Sequence, residues 1–269
     1  MSASLYNLSG RTAIVTGSST GNGRAIAVSL AQAGADIVCV DLHPGQPKGV
    51  GEGEPQTHDL LSSTFKVKTV FIQGDVTKEE TWEVVKEKTL ALTGRIDILV
   101  NNAGILGKVG DLHEATLAQW QLVFNVNVNA VFLGIKTVIP TMLLQEAREG
   151  GVRGSIITIA SNAAHHGAPQ KAPYCATKGA LVALNKALAV DYGRRGIKCV
   201  TISPGMIVTA MNEKDLADPN QIQNYRSQTP WPRFGRVDEV GSAVLFFASD
   251  ASDYANGTDL IIDAGYCAA

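Results

Sequence analysis

Tyr174 and Lys178 stand four residues apart in the run Tyr174-Cys-Ala-Thr-Lys178, a spacing that brings two side chains to one face of a helix. A phenol at its ordinary pKa of about 10 is a poor base at neutral pH, and an ammonium beside it favours the phenolate and lowers that value. Such a pair could exchange a proton with a substrate alcohol or ketone. Alone, the spacing also suits an amphipathic helix with an exposed lysine. Its meaning depends on the rest of the chain.

A second group of residues points to a phosphate-bearing ligand. The segment Thr16-Gly17-Ser18-Ser19-Thr20-Gly21-Asn22-Gly23 follows a β-branched run and opens an amphipathic stretch. Glycines there let the backbone bend sharply and approach a pyrophosphate, while the helix start offers free N–H groups and a partial positive charge. Gly17, Ser19, Gly21, Asn22 and Gly23 are therefore candidate dinucleotide contacts. Asp41 ends the next apolar run, where a carboxylate can accept hydrogen bonds from both adenosine ribose hydroxyls and repel a 2′-phosphate. Thr20 and Leu42 put no cation at the places that would receive that phosphate. NAD is expected over NADP. Lys48, in the loop that follows, reads as a solvated charge.

Positioning these residues requires alternating strands and helices. Short β-branched runs at 12–16, 36–40, 69–72, 96–100, 155–159, 198–202 and 259–262 predict seven strands. Helical patterns fall at 23–33, from an acid-capped start near Thr77, at 116–148 and at 172–192. Strands apolar on both faces, alternating with helices, predict an α/β, single-domain, doubly wound Rossmann fold with a parallel sheet covered on both sides. The expected division is a cofactor half over about 8–150 and a catalytic and substrate half over about 151–269 within one domain, 1–269. The stretch 44–55, rich in Gly and Pro, reads as an inserted surface loop.

Further motifs appear in order: Asn101-Asn102-Ala103-Gly104 after the fourth strand, Ser161 after the fifth, and Pro204-Gly205-Met206-Ile207-Val208-Thr209 after the sixth. With the glycine turn, Tyr174 and Lys178, they resemble the short-chain dehydrogenase/reductase family from about residue 8 to 266. The resemblance implies that Ser161, thirteen positions before Tyr174, contacts the substrate oxygen and stabilises an oxyanion or alkoxide. Tyr174 would be the general base in oxidation and the general acid in reduction, and Lys178 would bind the nicotinamide ribose. Asn127, chosen over Asn125 and Asn129 by the pattern Val126-Asn127-Val128 with Phe132 beyond it, would hold a proton-relay water. Asp75 and Val76 would meet the adenine, Asn102 and Gly104 would line the cofactor cleft, and Ile207 and Thr209 would meet the carboxamide. A homotetramer or homodimer built on the two long helices is also implied. Asn22 departs from the family's usual apolar residue, and Asp263-Ala264-Gly265 from its Asp-Gly-Gly.

The implied reaction is reversible hydride transfer between NAD(H) and a secondary alcohol or ketone. Met206, Met211, Tyr225 and Trp231 suggest a moderately apolar pocket, suited to an alicyclic or terpenoid-like alcohol better than to a sugar. A 3-oxoacyl or general carbonyl reductase is the alternative within the class, and a non-catalytic NAD-binding regulator the alternative outside it.

The 269-residue composition, 45% hydrophobic and 18% charged with a net charge of -2, gives no electrostatic case for nucleic acid or an anionic membrane. The segment 1–6 lacks a secretory pattern, and the most apolar run, around 126–140, is interrupted by Asn127, Asn129 and Lys136; no membrane span is expected, and a cytoplasmic location is. Cys39, Cys175, Cys199 and Cys267 show no metal-ligand spacing and predict free thiols. His165 and His166 follow Ser161 but lack a carboxylate partner of suitable spacing, so they read as pocket lining or exposed residues. No metal site is expected.

Overall fold

The computed structural model describes residues 5–45 and 54–269. Seven strands, β1 (Thr12–Thr16), β2 (Asp36–Asp41), β3 (Thr69–Gln73), β4 (Ile98–Asn101), β5 (Gly154–Ile159), β6 (Ile197–Pro204) and β7 (Asp259–Ile262), form one sheet in the order β3-β2-β1-β4-β5-β6-β7. Every neighbouring pair is parallel. The order reverses between β1 and β4, which opens a crevice at the carboxyl ends of those strands. The doubly wound fold predicted from alternation is the one observed.

The helices are α1 (Gly21–Gln32), α2 (Thr57–Phe65), α3 (Glu79–Thr93), α4 (Leu117–Phe124), α5 (Ala130–Leu144), α6 (Ala172–Tyr192), α7 (Glu213–Ala217), α8 (Pro219–Gln228) and α9 (Val237–Ala248). Successive strand residues point to opposite faces. Val15 joins Ile26, Leu30, Val244 and Phe247 on the α1 and α9 side. Ile14 joins Trp82, Val138, Met142 and Leu181 on the α3, α5 and α6 side. Burying such a side chain stabilises by about 1.5–3 kcal/mol, so the two half-cores hold the crevice open from both faces.

Several boundaries differ from expectation. Helix α2 is not foreseen, because its short, largely polar sequence buries only Thr57 and Leu61, with Phe65 packed one turn further on. Residues 46–53 of the expected insertion, Lys48 included, lie outside the described residues. Helix α3 carries Glu79 and Glu80 in its first turn but no side-chain cap; Asp75 instead accepts from Thr77 N at 2.9 Å and Thr77 Oγ1 at 2.7 Å, closing the turn before it. The long helix expected over 116–148 begins with a capping box between Thr116 and Gln119. It then widens into a π-helical turn at Asn125–Asn129 and stops after Leu144. It stops because Gln145 turns its amide to Ile96, accepting from the N–H at 2.7 Å and donating to the carbonyl at 2.9 Å. By length and composition alone the helical run Leu117–Leu144, 28 residues, could cross a bilayer. Here its Val131, Ile135, Val138 and Met142 pack on the sheet.

Candidate active site

The crevice at the carboxyl ends of the strands is a cavity of about 630 Å³. Its cofactor end is set by a turn that tolerates no side chain. Gly17 has φ 64°, and a Cβ on Gly23 would stand 1.9 Å from Gly17 O. Thr16 Oγ1 accepts from Asn102 N at 3.0 Å and Ala103 N at 3.1 Å, while Asn102 Nδ2 donates to Thr16 O at 2.9 Å and Gly17 O at 3.2 Å. Asn102 thus braces the glycine turn across the switch point as well as lining the cavity. Thr16 was missed in the sequence, although its place at the end of the strand was the available signal.

Gly17, Gly21, Asn22, Gly23, Asp41, Asp75, Val76, Asn102, Gly104, Ile207 and Thr209 all line this one cavity. Ser19 does not. It is buried, with its hydroxyl donating to His43 O at 2.5 Å and its N–H to Asp41 Oδ2 at 2.9 Å; Thr20 takes the lining position. Asp41 Oδ1 also accepts from Leu42 N at 2.7 Å, so the carboxylate is aimed by backbone donors on both sides. The residues fit a dinucleotide: the cradle a Cβ would fill, the carboxylate beyond it, and Asn22 Oδ1, a buried oxygen with no hydrogen-bond partner among the described residues.

At the other end, Tyr174, Lys178 and Ser161 converge. Their side chains line the same stretch of the cavity, and Ser161 is the neighbour that favours the Tyr174 phenolate. Ser161 is held by Ala163 N, which donates to its Oγ at 3.2 Å. Lys178 Nζ lies 5.6 Å from the centre of the Tyr174 ring. The electrostatics depart from the expected assistance. Burial holds the Tyr174 phenol above its ordinary value, only partly offset by Ser161 beside it, and burial pushes the Lys178 ammonium down to about 8. In the protein alone, desolvation is the largest influence on the phenol, and Lys178 is not among the groups that shift it.

Asn127 sits in the π turn, buried, and does not line the cavity. Its Oδ1 accepts from Ile105 N at 2.8 Å, and its Nδ2 donates to Ile105 O at 2.9 Å and Thr177 Oγ1 at 3.1 Å. Thr177 Oγ1 donates in turn to Tyr174 O at 2.7 Å. The amide therefore links the strand-β4 loop to α6 directly. Thr177, between the two functional residues of the motif, carried no sequence signal. Asn125 and Asn129 pair with each other at the surface, 2.7 Å apart.

His166 lines the cavity and His165 does not. The expectation that His165 lacks a carboxylate partner is wrong: its Nε2 lies 2.6 Å from Asp259 Oδ2, a residue 94 positions away that no local spacing reveals. Among the described residues no cluster of His, Cys, Asp and Glu could hold a metal ion. All four cysteines are free, with Cys39 and Cys199 in the core, where burial pushes each thiol up to about 12.

A parallel sheet with a glycine-cradled dinucleotide crevice, opening onto a tyrosine, a serine and a buried lysine, defines a nicotinamide-dependent oxidoreductase. Comparison with known proteins gives the family. A family model described as enoyl-(acyl carrier protein) reductase matches residues 17–267. The chain is 36% identical over 260 residues to 2-(R)-hydroxypropyl-CoM dehydrogenase of Xanthobacter autotrophicus, covering 96% of this chain and 99% of that one. A short-chain type dehydrogenase/reductase from Mycobacterium marinum superposes with TM-score 0.85 at 32% identity, covering 97% of each chain. A structure described as a “putative NAD(P) dependent gluconate 5-dehydrogenase” from Beutenbergia cavernae, with NADP bound at low occupancy, superposes with TM-score 0.86 at 33% identity over 99% of this chain and all of that one (100%). The chain belongs to the short-chain dehydrogenase/reductase family, and it is an oxidoreductase acting on CH–OH groups with a nicotinamide cofactor.

Proposed function

We propose that the enzyme interconverts a secondary alcohol and its ketone with NAD(H), using Tyr174 as the acid–base group. The observation that carries this reading is that Tyr174, Ser161 and Lys178 line the same cavity as the glycine cradle, with Lys178 Nζ 5.6 Å from the centre of the Tyr174 ring. When bound, the nicotinamide accepts or supplies the hydride. In oxidation the Tyr174 oxygen takes the hydroxyl proton, and in reduction it returns one. Ser161 donates a hydrogen bond to the same substrate oxygen, and Lys178 keeps a positive charge beside both. Asn127 holds Ile105 and Thr177, and through them the approach to the nicotinamide end.

The preference for NAD rests on Asp41, whose carboxylate would meet a 2′-phosphate with like charge. The NADP-bound relative makes this a choice to be measured. Within the one domain, the half over about 8–150 serves the cofactor, and the half over about 151–269 serves catalysis and substrate. Met206, Met211, Leu216 and Phe234 give the substrate end an apolar lining, in favour of a compact alicyclic frame. Exposed Leu122, Phe132, Leu144 and Val190 on the long helices favour a dimer or tetramer, and four free cysteines agree with a cytoplasmic enzyme. Following NADH absorbance with a panel of secondary alcohols and ketones tests the activity. Reduction of 3-oxoacyl thioesters alone, driven by NADPH, would favour the carbonyl-reductase alternative, and cofactor binding without turnover of any substrate the regulator.

A further inference from the structure

Behind the Ser161 turn, three side chains meet that the proposed chemistry does not use. His165 Nε2 lies 2.6 Å from Asp259 Oδ2. Ser203 Oγ lies 2.9 Å from both Asp259 oxygens and 3.4 Å from His165 Nε2. A serine, a histidine and an aspartate in contact invite a nucleophilic reading, and the geometry excludes it. A hydrolytic triad needs its carboxylate and its serine on opposite ring nitrogens. Here both meet Nε2, Ser203 donates to the carboxylate, and Ser203 is fully buried in β6.

The trio joins three parts of the chain instead. His165 ends the 3₁₀ turn Asn162–Ala164 that starts from Ser161, Ser203 belongs to β6, and Asp259 opens β7. The Asp259 side chain is only 8% exposed, and a carboxylate so placed is stable only with donors on its oxygens. His165 and Ser203 are those donors. Two weaker ties run from the same turn to the 3₁₀ turn Tyr266–Ala268 beyond β7: Cys267 Sγ donates to Asn162 O at 3.7 Å, and the His166 ring stands 4.8 Å from that of Tyr266. Apart from these, the Ser161 hydroxyl is restrained within its own turn by Ala163 N and Asn162 Oδ1.

We propose that His165 and Asp259 are positioning residues: their contact clasps the Ser161 turn to the last strand and sets where the Ser161 hydroxyl meets the substrate oxygen. This rests on the reading of Ser161 as the oxyanion contact. A misplacement of the order of 1 Å in such a contact costs about 100-fold in rate.

The test compares the full-length enzyme with His165→Leu and His165→Gln. His165→Leu is expected to lower kcat at least about tenfold, leave the cofactor Kd from fluorescence titration within about twofold, and speed amide hydrogen exchange over residues 161–166. Glutamine can still donate to Asp259, so His165→Gln should restore most of kcat and the slow exchange. Unchanged kcat and exchange in His165→Leu, equal losses in both variants, or loss of cofactor binding in step with kcat would each overturn the proposal. Should the wild type turn over no alcohol or ketone, the functional reading fails separately. The exchange pattern then decides the clasp: fast in the leucine variant alone supports it, and uniform exchange refutes it.

Discussion

Lys178 Nζ donates to the Ile159 carbonyl at 2.8 Å, tying α6 to the last residue of β5 beside Ser161. The bond fixes a cation against a neutral oxygen, with no carboxylate in contact among the described residues, and that has an energetic consequence. Burial depresses Lys178 from 10.5 to about 8, so the folded protein favours the neutral amine more than the unfolded chain does. The associated stability is present in full above the unfolded pKa and is lost as pH falls through about 8. One pKa unit corresponds to about 1.4 kcal/mol, so the cost of the buried charge at neutral pH is of the order of a few kcal/mol.

Lys178→Met removes that charge together with the Ile159 bond, worth about 1.5–3 kcal/mol for a charged donor. The variant is expected to lose turnover. Its melting temperature, relative to wild type, should be highest near about pH 6 and should decline as the pH approaches about 10. Thermal denaturation across that range measures it, and a difference independent of pH would refute the assignment of a buried ammonium.

Tyr174→Phe keeps the ring and removes the hydroxyl. Turnover should fall by about 10²–10⁴-fold, the usual contribution of a positioned acid or base, with cofactor affinity unchanged. In the wild type, oxidation needs the deprotonated phenol and reduction the protonated one. Because burial holds Tyr174 above its ordinary value, the oxidation rate should climb with pH from about 7 toward 10 while the reduction rate stays nearly level and falls only above about 10. Stopped-flow rates in both directions would reveal it, and parallel profiles would contradict the assigned role.

The strands, their parallel pairing and the glycine turn were legible because each is written locally: β-branched runs, a period, a turn that only glycine fits. The convergence of Ser161 with Tyr174 was legible only through the resemblance of ordered motifs. What stayed hidden depends on contacts across the fold. His165 and Asp259 are 94 residues apart, the widening at Asn125–Asn129 leaves no mark on the apolar periodicity, and the upward push on Tyr174 comes from burial that spacing cannot report. Ser19 shows the opposite error: a residue inside the right motif turns inward to hold Asp41 and His43.

Asp41 provides a test of cofactor choice. Its two oxygens accept from Ser19 N and Leu42 N, which leaves a fixed negative charge facing the cavity. Asp41→Ser with Leu42→Arg removes that charge and supplies a cation for a 2′-phosphate. The ratio of kcat/KM for NAD over NADP should drop by about 100-fold, equivalent to about 2.7 kcal/mol. Initial rates with each cofactor read this directly, and a wild type that already prefers NADP would remove its basis.

Asn127 offers the sharpest distinction between shape and chemistry. Its Oδ1 faces a donor, Ile105 N, whereas its Nδ2 faces two acceptors, Ile105 O and Thr177 Oγ1. Asn127→Ala leaves those groups unpaired, at about 1–3 kcal/mol for each one that stays buried. Asn127→Asp keeps the shape but sets a carboxylate oxygen against both acceptors, since the Thr177 proton is already given to Tyr174 O. Burying that charge costs several kcal/mol, and the folded state resists it by favouring the protonated acid, which can donate to Ile105 O. The carboxyl pKa is thus raised on folding, so stability is present below the unfolded value of about 4 and is lost as pH rises through the folded one. Denaturation at about pH 5 and about pH 8 should find the aspartate variant markedly weaker at the higher pH, while the alanine variant differs little between the two. An aspartate variant as stable as wild type at pH 8 would mean that the amide does not bridge Ile105 and Thr177.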